Sequence, residues 1–150
     1  MSRLKSLPGL LAALSLVVFT QTVQSREMVS VDRAEVNMRS GSSTKHPILW
    51  ALSKGYPLEV TRRQGNWLKV RDFENDSGWV YRPMVGKKAH VIVKGGVVNV
   101  RSAPSTGSRI LGKAEYGELL RTLEHRNKWV KVQRDGGMKG WVSRALVWGW

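Results

Sequence analysis

From Met28 onward the chain alternates apolar and polar side chains in short runs, separated by clusters of turn-forming residues. Met28-Val29-Ser30-Val31 and His90-Val91-Ile92-Val93 read as leading strands, with Val97-Val98-Asn99-Val100 as the next one. Leu58 to Arg62, Trp67 to Arg71, Leu119 to Leu123 and Trp129 to Gln133 follow the same period of two, the signature of a strand with one face in a core. Between them lie Gly41-Ser42-Ser43-Thr44, Gln64-Gly65-Asn66, Glu74-Asn75-Asp76-Ser77-Gly78 and Asp135-Gly136-Gly137, all turn chemistry. No stretch after the N-terminal region carries a helical period. Strands at this spacing predict an all-β sandwich or barrel.

The pattern occurs twice. Shifting the chain by 62 positions places Val36-Asn37-Met38-Arg39-Ser40 on Val98-Asn99-Val100-Arg101-Ser102, and the register then holds without a gap. Ile48-Leu49 falls on Ile110-Leu111, Gly55 on Gly117, Leu58 on Leu120, Trp67 on Trp129, and Gly78-Trp79-Val80 on Gly140-Trp141-Val142. Between Val36–Tyr81 and Val98–Ser143, 16 of 46 positions are identical, so the chain is an internal duplication. The expected division is 1–25, 26–86 and 87–150. Units of about 60 residues have little interior to spare, which favours a small barrel. The link Gly86-Lys87-Lys88-Ala89 is too short to act as a free tether.

These landmarks resemble the bacterial SH3-like domains. The likeness rests on an N-[VM]-R-[SA] opening (Asn37 to Thr44, Asn99 to Thr106), a central Gly (Gly55, Gly117), W-x-K-V (Trp67 to Val70, Trp129 to Val132) and G-W-V (Gly78 to Val80, Gly140 to Val142). The resemblance implies two tandem five-stranded SH3-like barrels that are usually exported, often accompany wall-degrading enzymes, and often bind peptidoglycan or another envelope component. Proline-helix recognition of the eukaryotic SH3 kind is not expected. The first loops carry Arg39-Ser40-Gly41 and Arg101-Ser102-Ala103 without an aromatic, and the late segments read Arg82-Pro83-Met84 and Arg144-Ala145-Leu146.

The N-terminal region adds a compartment. Arg3 and Lys5 precede the apolar run Leu10 to Phe19, followed by Val23-Gln24-Ser25. This is the layout of a secretory signal peptide cleaved after Ser25. The run is shorter than the roughly 18 to 20 residues of a comfortable membrane span, so no transmembrane segment is expected after cleavage. The protein is then exported, to the periplasm or the cell exterior. With 25 Lys and Arg against 11 Asp and Glu, the formal charge is +14. Anionic polymers or surfaces are the partners this favours; export turns the choice away from nucleic acid. There is no cysteine, and hence no disulfide, thiolate nucleophile or thiolate zinc site.

Within each unit the candidate ligand-binding residues are tryptophans. In Trp129-Val130-Lys131-Val132 the valines share one face and Trp129 shares the other with Lys131. Burying Lys131 would cost several kcal/mol, so Trp129 is expected outside, as is Trp67 beside Lys69. Alternation leaves Trp79 and Trp141 open, because either they or the neighbouring valines could point inward. The SH3-like layout implies that they lie near Trp67 and Trp129, as a two-tryptophan patch in each barrel. An exposed patch stacks on sugar rings or apolar peptide groups; the other reading is a lid over the open end of a small barrel. Asn37 and Asn99 read as amides capping the first loop. Arg39 and Arg101 read as solvent-facing or acid-paired, with a phosphate or carboxylate as the functional option. Trp50, Trp148 and Trp150 have no counterpart in the other copy and suggest an extra contact surface or a seam between the barrels.

Catalysis finds little support. His46, His90 and His125 occupy unrelated positions, Asp72, Asp76 and Asp135 lie in turns, and neither HExxH nor GxSxG is present. No catalytic residue, metal or cofactor is expected. The leading expectation is a non-enzymatic exported module whose two barrels engage a cell-envelope ligand, peptidoglycan first. The alternative is an adaptor for an envelope protein. Nucleic-acid or anionic-lipid binding rests on charge alone and stands last.

Overall fold

The computed structural model describes residues 15–22 and 24–150. Most of the expected signal peptide, residues 1–14 and 23, lies outside the described residues. Among those described, no helix is long and apolar enough to cross a membrane.

The first unit runs β1 (Met28–Val31), β2 (Glu35–Arg39), β3 (Ile48–Ser53), β4 (Pro57–Gln64), β5 (Trp67–Arg71), β6 (Ser77–Tyr81) and β7 (Val85–Gly86). The second runs β8 (His90–Val93), β9 (Val97–Arg101), β10 (Ile110–Glu115), β11 (Leu119–Arg126), β12 (Trp129–Gln133), β13 (Lys139–Ser143) and β14 (Val147–Gly149). A single 3-10 turn precedes the last strand of each, at Arg82–Met84 and Arg144–Leu146. Each unit is one antiparallel sheet, in the order β3-β2-β6-β5-β4-β1-β7 and β10-β9-β13-β12-β11-β8-β14. The 62-residue shift read from the sequence holds for the start of every strand.

The fold is thus all-β and tandem as expected, with seven strands per unit instead of five. The added ones are β3 and β7 with their counterparts β10 and β14. β3 escapes the period-two reading because it is an edge strand on which only Leu52 is buried. β7 has two residues, too few to show any period.

Each sheet folds around its own core. Val29, Val31, Val36, Met38, Leu52, Leu58, Leu68, Val70 and Val80 fill the first. Val91, Val93, Val98, Val100, Ala114, Leu120, Val130, Val132, Val142 and Val147 fill the second. The repeated Gly-Trp-Val is explained by packing. A Cβ on Gly78 would meet Met38 Cγ at 2.5 Å and the Arg39 carbonyl oxygen at 2.9 Å. On Gly140 it would meet Val100 Cγ1 at 2.5 Å and the Arg101 carbonyl oxygen at 2.9 Å. Glycine lets β6 close onto β2, and β13 onto β9, while the following valine enters the core. The central Gly55 and Gly117 serve differently, with φ of +86° and +80° in the turn before the long strand, where glycine alone is unstrained.

The units touch along a seam. β4 of the first packs against β8 and β14 of the second. Ile92 points away from its own core, between Val91 and Val93, yet is only 1% exposed. Burying such a side chain contributes about 1.5–3 kcal/mol. Its counterpart in the first unit, Ser30, is also buried and donates its hydroxyl to the Lys88 carbonyl at 2.7 Å. The Lys87 ammonium bonds to the Glu27 carboxylate and the Met28 carbonyl. The linker is therefore tied down against β1.

Candidate functional site

Cross-strand register builds equivalent rows on both units, alike in Trp, Lys and Arg and different where Arg62 gives way to Glu124. On β5 the buried Leu68 and Val70 force Trp67, Lys69 and Arg71 to the outside. β6 pairs Tyr81 with Trp67 and Trp79 with Lys69, so Trp79 lies on that outer face and Val80 on the inner one. β4 adds Arg62 opposite Lys69, and β2 adds Arg39 opposite Trp79. Four adjacent strands thus carry a row Arg62–Lys69–Trp79–Arg39. In the second unit the row is Glu124–Lys131–Trp141–Arg101.

The four tryptophans share the outer face but differ in exposure. Trp67 and Trp129 are half-buried on the outer face. Trp79 and Trp141 share that face but keep only 9% and 6% of their surface, so they are the floor of the patch and offer no open ring. The guanidinium of Arg126 lies over the Trp141 ring at 4.9 Å, with the Lys131 ammonium at 5.9 Å, within cation–π range. Trp67 stacks in tilted fashion on Tyr81, with centroids 5.4 Å apart. Burial of an outward tryptophan depends on side chains from neighbouring strands, which one-strand periodicity does not contain.

The first-loop residues also find definite places. The Arg39 guanidinium donates to the Thr44 and His46 carbonyls at 3.1 and 2.9 Å, and Arg101 donates to the Ser108 carbonyl at 2.9 Å. His46 and Ser108 are equivalent positions, so the repeated arginine clamps its own loop in both copies and is not paired with an acid. Asn37 and Asn99 sit inside strands, opposite Ala51 and Lys113, rather than at the start of the loop they were expected to cap.

Asp72 does what a turn aspartate is expected to do. It is buried, its Oδ1 accepts the Glu74 and Asp76 N–H groups at 3.0 and 2.8 Å, and its Oδ2 accepts the Tyr56 hydroxyl. Burial raises its carboxyl above the ordinary range, against the pull of the two N–H bonds. The histidines do not converge. The His46 ring lies against Gly41, His90 lies at the seam against Gly55, and His125 meets the Arg144 guanidinium.

The residues that sequence reasoning missed are the cations flanking the tryptophans, Arg62 and Arg126. Both lie in strands whose register shifts by one residue at a bulge, which breaks the alternation needed to assign their face. Trp148, singled out as lying outside the repeat, pairs across from Ile92 and stacks under the Arg26 guanidinium at 4.8 Å. It belongs to the seam.

Two family models match the chain in tandem, each described as a bacterial SH3 domain, over residues 32–86 and 96–147. Among curated proteins, the chain is similar to the "Putative N-acetylmuramoyl-L-alanine amidase YrvJ" of Bacillus subtilis strain 168, with 22% identity over 135 residues. That match takes in 83% of this chain but spans only about a quarter (26%) of the relative. Among solved structures, an NlpC/P60 family protein from Bacillus cereus ATCC 10987 superposes with a TM-score of 0.39 at 13% identity, covering 81% of this chain and 56% of that one. NlpC2 from Trichomonas vaginalis gives 0.39 at 11% identity, covering 85% and 49%.

Proposed function

The chain belongs to the bacterial SH3 domain family, in two tandem copies, and from that premise we propose that it is an exported, non-enzymatic binding protein whose barrels engage a cell-envelope polymer, peptidoglycan foremost. The observation that carries this reading is the duplicated outer face. Each copy presents a half-open tryptophan, Trp67 or Trp129, on the same face as a lysine paired with a buried tryptophan, Lys69 with Trp79 and Lys131 with Trp141. A half-open indole packs on a sugar ring or apolar peptide group. Lys69, Lys131, Arg62 and Arg126 add attraction for the carboxylates of a wall polymer. Two copies joined by a three-residue link suit a repetitive polymer, because the second contact forms at high effective concentration. The amidase named among the relatives supports a wall-related setting, and the basic N-terminal region with its apolar run supports export.

The test is co-sedimentation of the chain without residues 1–25 with purified wall sacculi. Pelleting is expected at low salt, to weaken as salt is added, and to fall at least tenfold when Trp67→Ala and Trp129→Ala are combined. Absence of pelleting removes the polymer from the reading. Unchanged pelleting of the double variant removes the outer face from it. Capture of one stoichiometric envelope protein that survives wall digestion would replace it with an adaptor role.

A further inference from the structure

We infer that the seam between the barrels holds a second binding site, a cleft for an ammonium group carried on a short apolar stem, as at the end of a lysine side chain or at a peptide amino terminus. It goes beyond the polymer reading, because it lies away from the outer faces and takes the opposite charge.

The cleft has a volume of ≈ 300 Å³, at the small end of ligand sites, which are commonly placed between domains. Trp50, Phe73, Ile92 and Tyr116 wall it, two from each barrel. The Phe73 and Tyr116 rings lie 5.5 Å apart across the seam, and Tyr56 backs Phe73 at 6.3 Å. The Trp50 and Tyr116 side chains remain open, at 54% and 53% exposure, so aromatic faces are available to a guest.

Charge selects the guest. The chain has 25 Lys and Arg against 11 Asp and Glu, yet Asp72, Glu74 and Asp76 border this cleft and no Lys or Arg lines it. Asp72 is committed to holding the loop, and Glu74 accepts the Tyr116 hydroxyl from the other barrel. Asp76 is half-buried at the rim. Open aromatic rings beside carboxylates attract a cation at the rings and pair it at the edge, while the apolar walls take its methylenes.

The residues concerned are those at which the duplication fails. Trp50, Tyr56 and Phe73 face Gly112, Glu118 and Asp135 in the other copy, and Tyr116 faces Lys54. A barrel taken alone cannot form the cleft; it requires the asymmetric pair.

The test is an NMR titration of the ¹⁵N-labelled chain without residues 1–25. The probes are Nα-acetyl-lysine-N-methylamide, a dialanine amide with a free amino terminus, and Nα,Nε-diacetyl-lysine-N-methylamide as the neutral control. Binding at millimolar concentrations is expected to move the Trp50 indole N–H and the amides of residues 73–76 and 116–117. The lysine and dialanine arms decide which source of ammonium is preferred, and the neutral control is expected to leave those signals in place. Asp76→Asn should weaken binding about tenfold, Trp50→Ala should abolish it, and Tyr116→Phe, which keeps the ring and all three carboxylates, should preserve it. No movement at the seam with either amine, or equal movement with the neutral control, overturns the inference. So does an unchanged affinity in Asp76→Asn whose other amide signals match the parent. Sacculus pelleting that survives Trp50→Ala leaves the outer-face reading intact, so the two ideas fail separately.

Discussion

Phe73 of the first barrel and Tyr116 of the second meet across the seam with ring centroids 5.5 Å apart and planes inclined at 51°. Such a tilted pair contributes about 0.5–1.5 kcal/mol beyond its buried area. Together with the buried Ile92 and the Arg26–Trp148 stack, it holds two otherwise separate cores together. Phe73→Ala combined with Tyr116→Ala should therefore let the barrels reorient while each stays folded. Rotational correlation times from ¹⁵N relaxation check this: the barrels are expected to tumble more independently, with the amide signals of both cores unmoved.

The glycine of Gly-Trp-Val is a packing requirement. Gly140→Ala places a methyl 2.5 Å from Val100 Cγ1 and 2.9 Å from a backbone oxygen. Because the oxygen cannot move without moving β9, the substitution should cost about 1–3 kcal/mol. Urea unfolding measures it. Gly96→Ala, with nothing within 4 Å of the added Cβ, serves as the control and should stay within about 0.5 kcal/mol of the parent.

Arg39 and Arg101 are loop clamps. Arg101→Ala frees the Ser108 carbonyl and should accelerate amide exchange across residues 102–109, with a loss of about 0.5–1.5 kcal/mol. Arg39→Ala should do the same for residues 40–46, where two carbonyls are released. Hydrogen-exchange mass spectrometry distinguishes this local loosening from global destabilisation.

The seam also responds to pH. Burial holds His90 below the ordinary histidine value, with the Lys88 and Arg121 charges adding to it and the bond to the Lys88 carbonyl opposing. A carbonyl only accepts, so the 2.8 Å contact at Nδ1 places the proton there. The folded state therefore takes up a proton less readily than the unfolded chain. The associated stability is complete above the ordinary value of about 6.5 and is lost as the pH falls through it towards the lower folded value. The unfolding midpoint should drop between pH 7 and pH 5, and His90→Gln should flatten that part of the drop.

Much of this was legible beforehand. Leu68, Val70, Val130 and Val132 declared the inner face, and with it the outward position of Trp67 and Trp129, because a strand alternates strictly. Trp79 was not readable in this way: it stands between a glycine and a valine, and it is buried on the outer face between its ladder partners Lys69 and Arg39. Arg39 looked solvent-facing because its partners are carbonyls, which every residue carries and which no sequence pattern marks.

The sequence by itself determined the duplication, its 62-residue register, the β class and the inner and outer faces of the strands that carry Trp67 and Trp129. These follow from local rules, period and turn chemistry, that act within a few residues. Only the tertiary structure decided which cations flank which tryptophan, that Trp79 and Trp141 lie covered, and that Trp50, Phe73 and Tyr116 gather at one cleft. Each of those depends on strand register across bulges or on how one barrel rests against the other. Such contacts join residues far apart in the chain, and a duplicated pattern is silent about them, because the seam is built from the positions at which the copies differ.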